Sequence, residues 1–215
     1  MSIATRVTEA TRKVLPSDSK TFRWHWYHGV IFYVVVQALE FSLAALVSVA
    51  TGQKVKSLRD TFGDVSYFRS LKQSIFAPPS WVFGPAWTIN NIFTIWGNLQ
   101  VLNKPAGTPG KNAFLGLQAA SWLNYVIFNA AYFNLRSPIN AFVLTLSMFV
   151  MTLLSGAIAL FQMKDTKVAL SLATLMIWLV IALTAGGFQA AWNYDDLYKV
   201  GPFTESVPAL EKEAK

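Results

Sequence analysis

The sequence has no cysteine among its 215 residues. This absence excludes disulfide bonds, thiolate metal sites and cysteine nucleophiles. Histidine occurs only twice, and charged residues make up only 13% of the chain. The sequence also lacks a GxGxxG fingerprint, a P-loop, an HExxH motif and a pair of carboxylates at catalytic spacing. We therefore do not expect a conventional enzyme.

Long apolar runs take the place of the missing charge. Hydrophobic residues make up 53% of the chain, and the mean hydropathy is +0.39. Five runs of 21 to 25 residues contain one charged residue between them, Glu40. About 20 apolar residues are enough for a helix to cross the hydrocarbon core of a bilayer. The sequence therefore predicts an all-α membrane protein, a bundle of five transmembrane helices over residues 30–50, 81–102, 113–135, 139–163 and 168–192.

Three regions follow from this pattern. We expect residues 1–29 to form an N-terminal extension, residues 30–195 the transmembrane domain and residues 196–215 a C-terminal tail. The extension combines basic residues with apolar residues at helical spacing. This composition fits a short interfacial helix, and it also fits a mitochondrial transit peptide.

The net charge of +7 comes from lysines and arginines that are scattered through the tails and loops. Nucleic-acid binding proteins gather such residues into one patch or stripe. We therefore expect the basic residues to face lipid headgroups, with the bilayer and not nucleic acid as the partner. Nine basic residues fall on each side of the predicted bundle, so the positive-inside rule does not choose an orientation.

Glu40 lies near the middle of the first predicted span, where a lone charge costs at least about 2.5–3.5 kcal/mol. Gln37 lies one turn earlier on the same helix face. One interpretation is functional: the pair serves as a proton or cation relay, or as a polar anchor for a ligand. The other is a neutral acid that clamps a neighbouring helix through asparagine or glutamine. The absence of lysine, arginine and histidine from the spans favours the second interpretation.

Side-chain amides and small residues predict how the helices pack. Amides in hydrocarbon need partners, so they should point into the bundle and either join helices or line a cavity. Ala182, Gly186 and Ala190 form a small-residue stripe on the last span, suited to close packing within the bundle or between protomers. Six asparagines lie in the second and third spans: Asn90, Asn91, Asn98, Asn124, Asn129 and Asn134.

The two histidines, His25 and His28, lie in an aromatic cluster before the first span. Two imidazoles at this spacing could face a metal or a macrocycle. An aromatic belt at the membrane surface has the same composition. Because no third ligand accompanies the pair, we expect no metal site.

The connection between the first two spans is the only long one, over residues 51–80. A loop of this length in a small bundle is often a functional lid, and a solvated linker is the alternative. Tyr67 and Phe68 favour the lid, because aromatic side chains need a surface to pack on.

The most distinctive motif opens the second span and reads Pro-Pro-Ser-Trp-Val-Phe-Gly-Pro-Ala-Trp-Thr over residues 78–88. It closely resembles the corresponding motif of the TspO/MBR family, the tryptophan-rich sensory and translocator proteins. The long first loop, five spans and eight tryptophans are similar to those of the same family. The resemblance covers residues 30–195.

The resemblance implies a multi-pass five-helix bundle, usually dimeric, in a mitochondrial or bacterial membrane. The family's pocket lies beneath the first loop and binds porphyrins and, in animal mitochondria, cholesterol and benzodiazepine-type ligands. No cofactor is required, and a tetrapyrrole such as protoporphyrin IX or haem is the implied ligand. The ligand-binding residues implied here are Trp87, Asn124, Leu123, Trp81, Phe83, Phe76, Tyr67, Asn91 and Trp178.

This chain departs from the family pattern at several of these positions. Phe76 stands where the family has tryptophan, Asn90-Asn91 where it has Leu-Tyr, and Phe188 where it has asparagine. Two hypotheses follow. The first is a receptor or carrier that binds a hydrophobic, planar, porphyrin-like or sterol-like ligand in the bundle. The alternative is a structural accessory subunit of a larger respiratory or photosynthetic membrane complex.

Overall fold

The computed structural model describes residues 23–52 and 65–212. These ranges are helical, with two isolated β-bridges and no β-strand. The expectations for residues 1–22, for residues 53–64 of the connection between the first two predicted spans and for residues 213–215 lie outside the described residues. The helices are α1 (Trp26–Ala50), α2 (Val65–Ser70), α3 (Phe83–Leu102), α4 (Lys111–Asn129), α5 (Pro138–Ala157), α6 (Thr166–Ser171) and α7 (Ala173–Trp192).

Helix starts follow local side-chain chemistry. Ser137 precedes α5 and its Oγ accepts a hydrogen bond from the amide of Asn140 at 3.1 Å, while Pro138 occupies the first helical position. Asp165 caps α6 in the same way through the amide of Val168. The helix α1 begins at Trp26, four residues before the predicted boundary, because the aromatic cluster is itself helical.

Within residues 23–52 and 65–212, three helical stretches are long and apolar enough to cross a membrane: Trp26–Ala50, Pro138–Gln162 and Thr166–Trp192. They correspond to the first, fourth and fifth predicted spans. Among the described residues, α3 and α4 are also long, but their amide side chains lower their hydropathy. The count of five membrane crossings is therefore not established by length and hydropathy.

Two helices end in wider turns that the sequence pattern does not predict. A π-helical turn over Ala130–Asn134 extends α4, and another over Ile158–Gln162 extends α5. The last predicted span is divided, since α6 ends at Ser171 and α7 begins at Ala173. A π-helical turn adds a residue to one turn of the helix and so rotates the side chains that follow.

The small-residue stripe of α7 packs within the bundle. A side chain at Gly186 would meet the backbone of Phe142 on α5 at 3.9 Å, and one at Gly187 would meet the Phe142 ring. The helix α3 approaches α6 even more closely, because a β-carbon at Gly97 would lie 2.0 Å from Ser171 Oγ. Of the two interpretations of the stripe, packing between helices of one chain is therefore present here.

Candidate functional site

A cavity of about 440 Å³ lies between α1, α3, α4, α5 and α7, with one wall residue from α2. Ligand pockets in proteins usually measure about 300–1,000 Å³, so the space suits a small molecule. Its lining is formed by Tyr33, Gln37, Glu40, Phe68, Ser80, Phe83, Gly84, Trp87, Thr88, Tyr125, Phe128, Asn129, Tyr132, Phe133, Leu144, Thr145, Met148, Trp178, Leu179 and Ala182.

Nine of the twenty residues that line the cavity are aromatic. The ring of Trp87 lies edge to face with Tyr125 at 5.3 Å and with Trp178 at 6.3 Å between centroids. Trp178 makes a perpendicular contact with Phe83, and Phe83 with Phe68, at 5.4 and 5.2 Å. Rings in such a network hold one another in place. The wall therefore offers rigid, flat apolar surfaces.

Hydrogen-bonding side chains are concentrated where α1 meets α4. The hydroxyl of Tyr125 donates to Gln37 Oε1 at 3.0 Å and accepts from Asn91 Nδ2 at 3.2 Å. Asn129 Nδ2 donates to Glu40 Oε1. We call Gln37, Glu40, Tyr125 and Asn129 the polar corner. The pairing of Glu40 with Asn129 is the kind of interhelical amide contact that the second interpretation of Glu40 requires.

Helical spacing explains why these four side chains meet. Gln37 and Glu40 lie three residues apart on α1, and Tyr125 and Asn129 lie four apart on α4, so each pair shares one helix face. Immediately beyond Asn129, the α4 π-turn begins and brings both Tyr132 and Phe133 into the cavity lining.

The short helix α2 is held in place by an aromatic contact and a cation–π contact. Tyr67 packs against the ring of Tyr132 at 5.8 Å, and Arg136 Cζ lies 5.6 Å from the Tyr67 ring centroid. Burial raises the pKa of the Tyr67 hydroxyl, and the nearby Asp196 and Asp195 charges act in the same direction. The phenol is therefore neutral at physiological pH.

A chain of hydrogen bonds continues from the cavity wall to the segment after α2. The Tyr132 hydroxyl donates to Gln189 Oε1 at 2.7 Å, and Gln189 Nε2 donates to Gln73 Oε1 at 3.1 Å. Gln73 Nε2 in turn donates to the carbonyl of Phe68, a lining residue. This chain couples α2 to α4 and α7.

Residues 193–212 fold back over the same segment, and we call them the C-terminal strap. The side chain of Asn193 brackets the backbone of Lys72, accepting from its amide at 2.7 Å and donating to its carbonyl at 3.1 Å. Further along, the amide of Ile75 donates to the carbonyl of Leu210 at 2.8 Å, and the amide of Lys212 donates to the carbonyl of Gln73 at 2.8 Å. The strap therefore fixes residues 72–75.

A buried acid anchors the strap to the turn between α4 and α5. Asp195 is 1% exposed and accepts from Ser137 Oγ at 2.7 Å and from the amide of Ile139 at 3.1 Å. It also accepts from the amides of Leu197 and Tyr198. These four hydrogen bonds satisfy a buried carboxyl group without a basic partner and make Asp195 a structural residue.

The residues predicted as ligand-binding divide into three groups. Trp87, Phe83 and Trp178 line the cavity, as do Glu40 and Gln37. Asn91 and Tyr67 lie one contact behind the wall. The first bonds to Tyr125 and the second packs on Tyr132.

The four remaining predicted residues do not line the cavity, although Asn124 bonds to the lining residue Leu144. Trp81 is 74% exposed in the short turn before α3, and Leu123 is 59% exposed on the outer face of α4. Asn124 Nδ2 donates to the carbonyl of Leu144 at 3.3 Å, which joins α4 to α5. Phe76 stacks on Phe188 at 6.0 Å.

Several lining residues were not predicted from the sequence. The aromatic residues of α4 and its π-turn form the largest such group, with Tyr33 on α1 and Met148 on α5 beside them. A usable signal was present, because Tyr125, Phe128 and Tyr132 recur at intervals of three and four residues around Asn129. This spacing places aromatic rings on the helix face that carries an amide.

Comparison with known proteins adds one match. The TspO/MBR family profile matches residues 32–188. That range is well over half of the chain and includes the Pro-Pro motif and nearly all of the cavity lining. No curated protein sequence matches the chain significantly.

Proposed function

The chain belongs to the TspO/MBR family, and from that premise we propose that it is a membrane receptor or carrier that acts by binding, within its helix bundle, a hydrophobic, planar ligand. The cavity is the observation that carries the proposal. Its aromatic wall matches a flat apolar ligand, and its polar corner offers a few hydrogen-bonding groups that would fix the orientation of the ligand.

The proposal includes five membrane crossings. A helix of 20 residues is about 30 Å long, so α3 is long enough to span the hydrocarbon core. On this helix, Asn90, Asn91 and Thr94 are buried, whereas Ile92 and Phe93 are exposed. Polar residues inside and apolar residues outside are what a lipid-embedded helix requires. The helix α4 with its π-turn is longer still, over residues 111–134.

The departures from the family pattern at Phe76 and Phe188 support retained ligand binding more than the loss of binding. Phe76 and Phe188 each replace a different family residue, and in this chain the two rings stack on each other with an interplanar angle of 16°. Both lie outside the cavity lining. The paired change therefore repacks a neighbouring contact and leaves the cavity in place.

Titration with protoporphyrin IX tests the proposal. The protein in lipid nanodiscs is titrated while tryptophan fluorescence is followed, and the dissociation constant is compared between wild type, Trp87→Ala and Trp96→Ala. Both tryptophans lie on α3, but Trp96 is 42% exposed and outside the cavity lining. We expect saturable binding that Trp87→Ala weakens about tenfold or more and Trp96→Ala leaves unchanged. No saturable quenching, or equal affinities in all three proteins, would remove the tetrapyrrole version of the proposal.

The alternative, an accessory subunit of a larger complex, has less support. One of its motivations is the C-terminal tail, but the described part of that tail packs on its own chain as the strap. Extraction in a mild detergent followed by native electrophoresis separates the two functions. Migration as a monomer or dimer agrees with a receptor, and stable comigration with respiratory or photosynthetic subunits would favour the alternative.

A further inference from the structure

Among the described residues, Glu40 carries the one carboxyl group that lines the cavity. It is 6% exposed, and the lining contains no lysine, arginine or histidine. Acids within a membrane-embedded bundle normally pair with a basic group or line a functional path. Within the described ranges, no element packed around the cavity supplies such a basic partner.

One oxygen of this carboxyl group is available. Oε1 accepts the hydrogen bond from Asn129, and among the described residues no group donates to Oε2. The nearest hydroxyl in the polar corner, that of Tyr125, already donates to Gln37. A carboxyl group has room for about four hydrogen bonds, so Glu40 retains most of its accepting capacity.

We propose that Glu40 selects ligands that carry a basic nitrogen on a flat apolar body. This inference rests on the proposed function, because it names the head group of the ligand that the cavity would bind. A protonated amine donates N–H to Oε2 and supplies the positive partner that the described part of the chain does not provide. Hydrogen bonds of this charge-assisted kind are about twice as strong as neutral ones.

The same geometry disfavours an anionic head at this end of the cavity. A ligand carboxylate beside Glu40 would place two acids together in an apolar site, which raises the free energy of whichever is ionised. The aromatic faces of Trp87 and Tyr125 act in the same direction as Glu40, since they attract a cation and not an anion. The aromatic wall of the cavity thus selects the planar body of the ligand. Glu40 in the polar corner selects its head group.

Three pyrene derivatives test this selection because they share one planar body. They are 1-pyrenemethylamine, 1-pyrenemethanol and 1-pyrenecarboxylic acid. Each is titrated into wild type, Glu40→Gln, Glu205→Gln and Trp87→Ala in nanodiscs of one lipid composition, with energy transfer from tryptophan to pyrene as the readout. Glu205 is an exposed acid of the strap and serves as the matched control. Differences in lipid partitioning cancel when one probe is compared between proteins.

We expect wild type and Glu205→Gln to bind the amine at least tenfold more tightly than the alcohol, and the acid least tightly. In Glu40→Gln, the preference for the amine should fall to less than threefold, while affinity for the alcohol stays within threefold of wild type. Saturable binding of all three probes with no amine preference in wild type, or an amine preference that survives in Glu40→Gln, would overturn this inference alone. If no probe binds wild type saturably, or if Trp87→Ala binds all of them as wild type does, the proposed function fails as well.

Discussion

The two ends of the bundle are built from the same helices in different ways. At one end, which we call the closed end, Val101, Phe114, Ala159, Val168 and Leu172 form a cluster that is at most 2% exposed. At the other end, α3, α4 and α7 contribute Trp87, Tyr125 and Trp178 to a cavity. Val101 and Trp87 are 14 residues apart on α3, which corresponds to about 20 Å along the helix axis.

The difference shows how side-chain choice keeps a space open between packed helices. The closed end packs Phe114 among aliphatic residues, and near it Gly97 lets α3 and α6 approach until a β-carbon at Gly97 would clash with Ser171. The cavity end combines large rings that pack edge to face with one another and amides that need hydrogen-bonding partners. Close packing gives the first end its stability, whereas bracing gives the second its pocket.

The largest expected effect comes from emptying the closed end. Phe114 is fully buried, so Phe114→Ala should lower the free energy of unfolding by about 3–5 kcal/mol. The matched change at the cavity end, Phe133→Ala, should cost less than half as much, because one side of that ring already faces open space. Unfolding curves in one detergent measure both. Equal losses would show that the two ends are packed alike.

A smaller effect comes from forcing α3 away from α6. Gly97→Ala places a methyl group against Ser171 and should destabilise the protein by about 1–3 kcal/mol. Gly116→Ala on α4 is the control, since a β-carbon there meets nothing within 4 Å. Combining Gly97→Ala with Ser171→Gly should recover part of the loss in thermal unfolding. No recovery in the double variant would contradict a steric cause.

At the cavity end, the contact between Glu40 and Asn129 can be separated from the charge of the acid. Glu40→Gln keeps an acceptor for Asn129 and should preserve folding. Glu40→Leu leaves the amide of Asn129 without that acceptor and should cost about 1–2 kcal/mol. Chemical unfolding of the three proteins measures the difference. If the glutamine variant is as unstable as the leucine variant, the hydrogen bond is not what Glu40 contributes to stability.

The smallest expected effect concerns the ion pair beyond the closed end. Lys104 Nζ lies 2.6 Å from Asp165 Oδ2, and this hydrogen bond, with support from the backbone amides of α6, lowers the pKa of Asp165. A lowered pKa stabilises the fold at pH values above the unfolded-state pKa of about 4, and this contribution is lost as the pH falls through the folded-state pKa.

Asp165→Asn should therefore cost less than about 1 kcal/mol at pH 7, because the pair is partly solvated. The difference between wild type and variant should shrink as the pH is lowered below about 4. Thermal unfolding across this range, at low salt, gives the measurement. Because asparagine can still cap α6, a difference that stays constant with pH would contradict the ion pair as its cause.

Much of the fold was predictable because long uncharged runs leave few alternatives to helices in a membrane. The start of α5 was close to prediction for the same reason, with Ser137 and Pro138 as a local signal. The π-turns and the break at Leu172 were not predictable, because no proline or glycine marks them and tertiary packing decides the local hydrogen bonding.

The site was predictable only where a motif fixed it. The Pro-Pro motif led to Trp87 and Phe83, which line the cavity, but also to Trp81, which is exposed. Trp81 lies in the turn before α3, so the direction of its side chain depends on the path of the preceding loop. The helical spacing of α3 sets the direction of Phe83 and Trp87 only. On α4, the resemblance assigned ligand binding to Leu123 and Asn124. These residues lie on a different face of the helix from the lining residue Tyr125.

The C-terminal strap has a consequence for the order in which the protein is made. Residues 72–75 precede most of the bundle in sequence, yet their backbone partners lie at Asn193, Leu210 and Lys212. When the last residue of α7 has been synthesised, the C-terminal strap that binds residues 72–75 has not yet been synthesised. Chains generally fold from the N-terminus as they emerge. The contacts that fix residues 72–75 can therefore form only after the last helix has been synthesised.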